Sequence, residues 1–358
     1  MTVRRVLVLE SQTPFVHGGA EILVRELITA LRARGYDAET VSIPFRDDPR
    51  DELMAHVAIW RLLDLSHSVG QRIDLVIPTK FPTYFVRHPV KVAWLVHQHR
   101  AAYELCGTPF SNFDHGEQDV GLRKRLIEQD TAMLRECAGL FSIARTVSDR
   151  VEKYNGLAAE PLYHPPKLAA RLKAGDYGQY MLTVTRLERV KRVDLAIEAF
   201  RHVPAPMRLL IAGDGTARGE IEACIERLDM ADRVSLLGRV SDEELIELYA
   251  GSRGMLFAPF HEDYGYVTLE AFLSRKPVVT TSDAGGPLEF VVDEVNGLVA
   301  EPSAEALATA INRLAADPRL AARLGDAGYE RARTITWDGV VERLVSAGEH
   351  GARDTRAD

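Results

Sequence analysis

FAPFHEDYGYVTLEAFLSRKPVVTTSDAGGPLEFVVDEVNG, residues 257–297, alternates between apolar runs and glycine-bearing polar turns, and its reading decides the fold. The apolar run 255–260 carries Pro259 near its end, which predicts a strand that hands the chain to a loop. His261 to Gly265 is polar and contains a glycine, as a loop at the carboxyl end of a strand should. Val267, Leu269, Phe272 and Leu273 then fall at helical spacing, Pro277 stops the helix, and Val278-Val279 opens the next strand. The unit reads strand, loop, helix, strand, loop, short helix.

Two carboxylates mark its ends. Glu262 lies in the loop and Glu270 on the helix, with seven residues between them. The helix start between them directs backbone N–H groups at whatever lies beyond the strand ends, which suits a diphosphate. Carboxylates accept hydrogen bonds from sugar hydroxyls well. Two glutamates at this spacing alone also describe an ordinary βαβ unit with surface acids.

The residues around them narrow the choice. Glu262 is followed by Asp263, Tyr264, Gly265, Tyr266 and Val267, then Glu270-Ala271; Lys276-Pro277-Val278-Val279 comes next, then Gly285-Gly286-Pro287-Leu288-Glu289. This resembles the signature of the retaining GT-B glycosyltransferases of family 4, the glycosyl transferases group 1. The chain departs from that pattern with Asp263 for Gly or Ser and Lys276 for Gly, and neither change removes a carboxylate. The resemblance implies a GT-B fold: an α/β chain of two doubly wound Rossmann-like domains facing each other across a cleft. Strands alternating with helices in both halves point the same way independently.

The whole chain fits two domains. Its 358 residues are long for one core. A composition of 46% hydrophobic and 27% charged residues is that of an ordinary globular protein, and a net charge of −8 argues against a nucleic-acid partner. Cys106, Cys137 and Cys224 are far apart and lack metal-ligand spacing, which suggests a reducing compartment. Met1 to Arg5 leads straight into a strand-like run, so no signal peptide is expected, and no stretch approaches the roughly 18 apolar residues of a membrane span. These features predict a cytoplasmic protein, with peripheral contact at the inner face of a membrane left open.

In chain order, Val6 to Leu9 reads as a first buried strand, followed by a loop ending FVHGGAE and a helix from Ala20 to Arg34. Gly18 and Gly19 let backbone approach a ligand or simply form a tight turn; in the resembled family a GG-x-E element here faces the donor phosphates. Strands follow at 36–43, 73–77 and 90–96, with a helix at 53–65. The strand at 90–96 ends in His97-Gln98-His99, where open α/β sheets bind ligands. The family carries a histidine at this strand end near the transferred sugar; His97 is favoured by position over His99. Residues 101–125 lack periodicity and read either as an acceptor-side loop or as a surface excursion. A helix at 126–137, a strand at 139–143 and a helix capped by Ser148 follow. Residues 160–178, with three prolines and two glycines, read as the interdomain linker. The domains are thus set at 1–170, on the acceptor side, and 178–335, binding the nucleotide sugar, with a last helix at 337–358 crossing back onto the first and its end from 349 frayed.

The second domain restarts with a strand at 180–185, the run Arg186-Leu187-Glu188-Arg189-Val190-Lys191-Arg192, and a helix at 193–200. Arg186 and Lys191 match the family's cation pair for the donor diphosphate, although spacing alone would equally allow solvated helix-entry charges. A strand at 208–212 runs into Gly213-Asp214-Gly215, and a strand at 234–237 into Gly238-Arg239-Val240, which in the family borders the nucleotide base. Ser241 to Glu244 forms a capping box.

The resemblance therefore implies a retaining hexosyltransferase. The donor is a UDP- or GDP-sugar acting as co-substrate, and the acceptor is the hydroxyl of a glycan, a lipid-linked group or a small molecule. No cofactor and no metal are implied, since Arg186, Lys191 and helix-start amides can stabilise the diphosphate. Catalytic roles fall to Glu262, His97, Arg186 and Lys191. Donor contacts fall to Gly18, Gly19, Gly238, Arg239, Val240, Tyr264, Gly265, Tyr266, Val267 and Glu270 as well. An epimerase or phosphorylase of the same fold, or a catalytically silent sugar-nucleotide-binding subunit, are the rival readings.

Overall fold

A computed structural model describes residues 3–15, 18–47 and 49–354. Val16 and His17 of the glycine loop, Asp48 of the loop 46–50, and the last four residues of the expected frayed end lie outside it. The chain divides into two compact units, one running up to His164 and resuming at Thr336, the other spanning Pro165–Ile335.

The first unit alternates β1 (Arg5–Gln12), α1 (Gly19–Ala33), β2 (Asp37–Pro44), α2 (Leu53–Leu62), β3 (Leu75–Pro78), β4 (Val92–Leu95), α3 (Glu117–Arg135), β5 (Gly139–Ser142), α4 (Arg145–Asn155) and β6 (Glu160–Pro161). Two parallel sheets, ordered β2-β1-β3 and β4-β5-β6, are joined edge to edge by bridges at Val76–Lys91 and Lys80–His97. Every residue of β3 and β4 is buried, as expected for strands covered on both faces.

The second unit runs β7 (Tyr180–Val184), α5 (Val193–Phe200), β8 (Arg208–Ala212), α6 (Arg218–Arg227), β9 (Val234–Gly238), α7 (Asp242–Gly251), β10 (Gly254–Leu256), α8 (Tyr266–Leu273), β11 (Val278–Thr281), β12 (Gly297–Ala300), α9 (Ala304–Ala316) and α10 (Pro318–Ala332). Its six parallel strands are ordered β9-β8-β7-β10-β11-β12. Met181, Ile197, Phe200, Leu209, Leu256 and Ile311 centre the core. The expected capping box is present: the Glu244 amide donates to Ser241 Oγ at 3.2 Å and the Ser241 amide to Glu244 Oε2 at 2.8 Å.

Four expectations are corrected. Helix α3 starts at Glu117, nine residues before the apolar pattern begins, because Glu117 and Asp119 stabilise its first turn and Arg50 pairs with Asp119. The preceding segment, 103–116, is a loop of turns and not a plain surface excursion: Tyr103 and Phe113 are buried in it. Ser148 lies inside α4 rather than capping it, its hydroxyl 2.7 Å from that of Ser142. A last helix, α11 (Trp337–Asp354), belongs to the first unit and packs on α1, β4 and β5. It continues past the expected fraying point because glycines let it approach closely. A Cβ on Gly351 would lie 2.4 Å from that of Ala138.

The fourth concerns the linker. Glu160–Pro161 is a strand of the first unit, and the chain from Pro165 on is an ordered strap on the second. Lys167 and Arg171 pair with Asp242 and Glu243 of α7, at 2.5 and 2.7 Å. Lys276, the departure from the family pattern, is fully buried and donates to the carbonyls of Gly175 and Asp176, each at 2.9 Å. Burial pushes its ammonium down to about 8. Arg253 donates to the carbonyls of Tyr177 and Gly178. Proline and glycine left no helix and only the short strand Glu160–Pro161 here, but they did not rule out order. Among the described residues no helix is long and apolar enough to cross a membrane.

Candidate active site

In the second sheet the chain reverses direction of winding between β7 and β10, which are neighbours. Ligands of open parallel sheets bind beyond the strand ends at such a switch point. The loops that emerge there are 185–192 and 257–265, and they are built for close approach. Gly213 has φ +134°, and a Cβ on it would sit 1.8 Å from the Thr185 carbonyl oxygen, so only glycine lets the 213–215 turn lie against the loop bearing Arg186. The Phe260 amide donates to the Val190 carbonyl at 2.8 Å and ties the two loops together. A third loop, 282–286, takes the Glu262 amide on Ala284 O at 2.8 Å and returns the Gly286 amide to Glu262 O at 2.7 Å.

Lys191 and Glu262 meet there as an ion pair, their side chains 15% and 18% exposed. Arg186 stands apart: it is exposed and pairs with Glu188 at 2.9 Å. Beyond Glu262, Gly265 takes φ +79° and leads into α8. Tyr264 is buried against Phe290, so its ring is core while its backbone borders the helix start; Tyr266 and Val267 are half-buried. Glu270 receives a hydrogen bond from the Tyr249 hydroxyl at 2.8 Å, and burial holds its carboxyl above the usual range despite that bond. The Gly238 carbonyl accepts from the Gly213 amide at 2.7 Å, and Arg239 points outward as an exposed residue. Val240 borders a cavity of about 940 Å³ with Leu237, Ile246 and Leu248; Lys191, Glu262 and Glu270 do not line it.

The first unit has its own switch point, between β1 and β3. Gly18 precedes α1 there, and its amide donates to Glu21 Oε2 at 2.8 Å. The other Glu21 oxygen takes Lys80 Nζ, also at 2.8 Å. The two histidines separate. His99 is buried among the rings of Phe45, Phe81 and Phe113, and burial pushes its imidazole down to about 4, a neutral core residue. His97 is half-buried at the strand end, with Nδ1 2.7 Å from the Gln98 carbonyl. That contact selects the tautomer with the proton on Nδ1 and the lone pair on Nε2. Among the described residues no three His, Cys, Asp or Glu side chains group as a metal site.

Comparison with known proteins gives the family that the second unit resembles. The model for glycosyl transferases group 1 matches residues 167–331, nearly all of the second unit, beginning within the strap. Over that unit the chain is similar to the group 1 glycosyl transferases. It is 29% identical to human alpha-1,3/1,6-mannosyltransferase ALG2 over 43% of the chain and 40% of that protein's length. It is 26% identical to mannosylfructose-phosphate synthase of Agrobacterium fabrum over 92% of the chain and 86% of that protein. Among solved structures, sucrose-phosphate synthase from Thermosynechococcus elongatus superposes with a TM-score of 0.74 at 20% identity over 99% of this chain and 100% of that one. HepE from Anabaena, in complex with UDP and glucose, gives 0.66 at 17% over the same shares. The fold is GT-B, two Rossmann-like domains.

Three contacts were not legible beforehand. Lys80 carries no local motif, and only its position after β3 brings it to Glu21. Tyr249 sits in an apolar helix pattern and reads as core, which its fully buried ring also is. Asp283 pairs with Arg192 across 91 residues of sequence.

Proposed function

We propose that the chain transfers a hexose-type sugar from a UDP- or GDP-sugar to an acceptor hydroxyl, with retention at the anomeric carbon and without metal. The observation that carries this is the Lys191–Glu262 pair at the switch point of the second sheet, beside the start of α8. Lys191 there is placed to take a phosphate oxygen in exchange for Glu262, with Arg186 adding a second cation from the same loop. The amides at the start of α8 add further donors. Glu262, once released, accepts from hydroxyls of the sugar. Glu270, four residues past the first residue of α8, lies about 6 Å along the helix from its start at 1.5 Å per residue and suits the ribose. Gly238 to Val240 offer backbone to the base. His97, half-buried at the end of β4, is the histidine assigned to the sugar.

The chemistry follows from these positions. The bond from the anomeric carbon to the diphosphate oxygen breaks, and the cations stabilise the charge that develops on that oxygen. The acceptor oxygen bonds to the same face, and its proton passes to the departing phosphate. No carboxylate is assigned as a covalent nucleophile. Three free thiols, Cys106, Cys137 and Cys224, support a cytoplasmic setting.

The test is a panel of UDP- and GDP-sugars, reading nucleoside diphosphate release with and without candidate acceptors and in excess EDTA. Acceptor-dependent release that survives chelation, with an axial product anomer from an axial donor, is expected. Release with no acceptor would indicate an epimerase, dependence on inorganic phosphate a phosphorylase, and binding without turnover a silent subunit.

A further inference from the structure

We propose that Arg192 is a positioning residue that holds Lys191 and Glu262 in one constellation, acting through Asp283. Arg192 follows Lys191 directly and takes φ +48°, in the left-handed region that disfavours side chains. Its guanidinium is only 15% exposed, and it serves all three loops at the switch point. It donates to the carbonyls of Ala258 and Pro259 at 2.9 and 2.6 Å, the stretch that leads to Glu262. It binds both oxygens of Asp283 at 2.7 and 2.6 Å and Thr281 Oγ1 at 2.9 Å, the stretch on the other side. Its charged face also lies over the Phe260 ring, 5.7 Å from the centroid.

The geometry makes the fork useful where a glycine would satisfy the backbone more easily. Lys191 and Glu262 sit on separate loops, and each must exchange its partner when a ligand arrives. Something other than their own ion pair must therefore keep the loops in register. Arg192 does this without facing the ligand, because Asp283 neutralises it. Burial alone would raise the Asp283 carboxyl; the Arg192 hydrogen bonds override it and hold the group below its usual value. The amides of Phe260, His261 and Glu262, which donate to Val190, Asp283 and Ala284, are the bonds this clamp protects.

This inference rests on the proposed role of Lys191 and Glu262, so its test needs a readout independent of turnover. Arg192→Gly removes the fork while accepting the positive φ without strain. The variant, with Asp283→Asn and the double variant, is compared with wild type by hydrogen exchange at 260–262 and by turnover on the donor found in the panel above. Titration with UDP and GDP completes the set. Exchange at those three amides is expected to quicken in Arg192→Gly and Asp283→Asn. Turnover should fall roughly 10- to 100-fold, as misplacement of about an ångström does. The double variant should be no worse than Arg192→Gly, and Arg192→Lys should recover only part of the loss because it cannot bind Asp283 through two nitrogens. Unchanged exchange in both single variants, or a folded Arg192→Gly that turns over within about twofold of wild type, would overturn the positioning role. Should Lys191→Ala and Glu262→Gln both prove fully active, the proposed function fails instead, while quickened exchange would still assign the clamp.

Discussion

Lys80 with Glu21 in the first unit, and Lys191 with Glu262 in the second, are the same residue types at the same kind of place, the switch point of a parallel sheet. Burial hardly separates them: the side chains are 11% and 9% exposed in one pair, 15% and 18% in the other. What differs is the backing. Glu21 rises from a helix and spends its second oxygen on the Gly18 amide, so three chain segments depend on it. Lys191 and Glu262 have their backbones fixed by neighbouring loops and by Arg192, which leaves their side chains able to change partners. A lysine–glutamate pair is thus read as scaffold or as ligand site by what else holds each member.

The strongest challenge to that contrast is a stability measurement. Lys80→Ala leaves Glu21 buried beside an empty partner position and should cost about 3–5 kcal/mol in the denaturant unfolding of the first unit. Lys191→Ala should cost the second unit far less, since Glu262 can turn to solvent. Equal losses would erase the distinction. Next in size is Glu262→Gln, which should lower kcat by about 100-fold or more, the scale of losing an electrostatic contact made in the transition state. Free UDP or GDP, lacking the sugar, should bind as before; steady-state kinetics with wild-type turnover would remove Glu262 from the transfer site.

Calorimetry supplies a finer comparison within the second unit. Lys191→Ala should weaken nucleoside diphosphate binding by roughly 1.5–3 kcal/mol, and Arg186→Ala by less, because its exposed guanidinium is already solvated. The first unit can be probed by pH at Asp130, which is fully buried and receives the Tyr103 hydroxyl at 2.6 Å. Burial raises its carboxyl to about 7 against that bond, so the folded state holds the proton more tightly than the unfolded chain. Its contribution is therefore full below about pH 4 and is lost as pH rises through about 7, a fall of about 1.4 kcal/mol from pH 6 to 8. Asp130→Asn should lack that fall. His99 runs the other way, losing stability as pH drops from about 6.5 toward about 4, so the difference between wild type and Asp130→Asn over pH 6–8 is the quantity to read. The smallest effect belongs to Tyr249→Phe, which removes one hydrogen bond to Glu270 and should cost about 1 kcal/mol of diphosphate affinity. No change there would detach Glu270 from the ribose.

Much of this was legible where the information is local. The helices at 193–200 and 266–273 and the strands around them follow from apolar spacing and from Pro277, and the two glutamates and Lys191 stand in short motifs. Glu21 was visible in the same way, beside Gly18 and Gly19. The rest depends on pairs far apart in the chain. Nothing near Arg192 names Asp283, and nothing near Lys80 names Glu21. Residues 117–125 hid a helix because its face there packs through Asp119 rather than through apolar side chains. His97 and His99 differ by two positions and an entire environment, which strand alternation does not decide once the strand has ended.

The strap on the second unit also sets where that unit can be cut free. A domain excised from 178 onward, as composition suggests, would lose both carbonyls that hold the fully buried Lys276, and the Tyr177 carbonyl that is one of four on Arg253. Lys276 would be left inside a core with both acceptors on a discarded fragment, while Arg253 would keep the carbonyls of Gly178, Leu314 and Ala315. Lys276, at about 8 already, would be driven to shed its proton. An independent second domain therefore has to begin near Pro165, so that the strap's backbone stays with the buried lysine it serves.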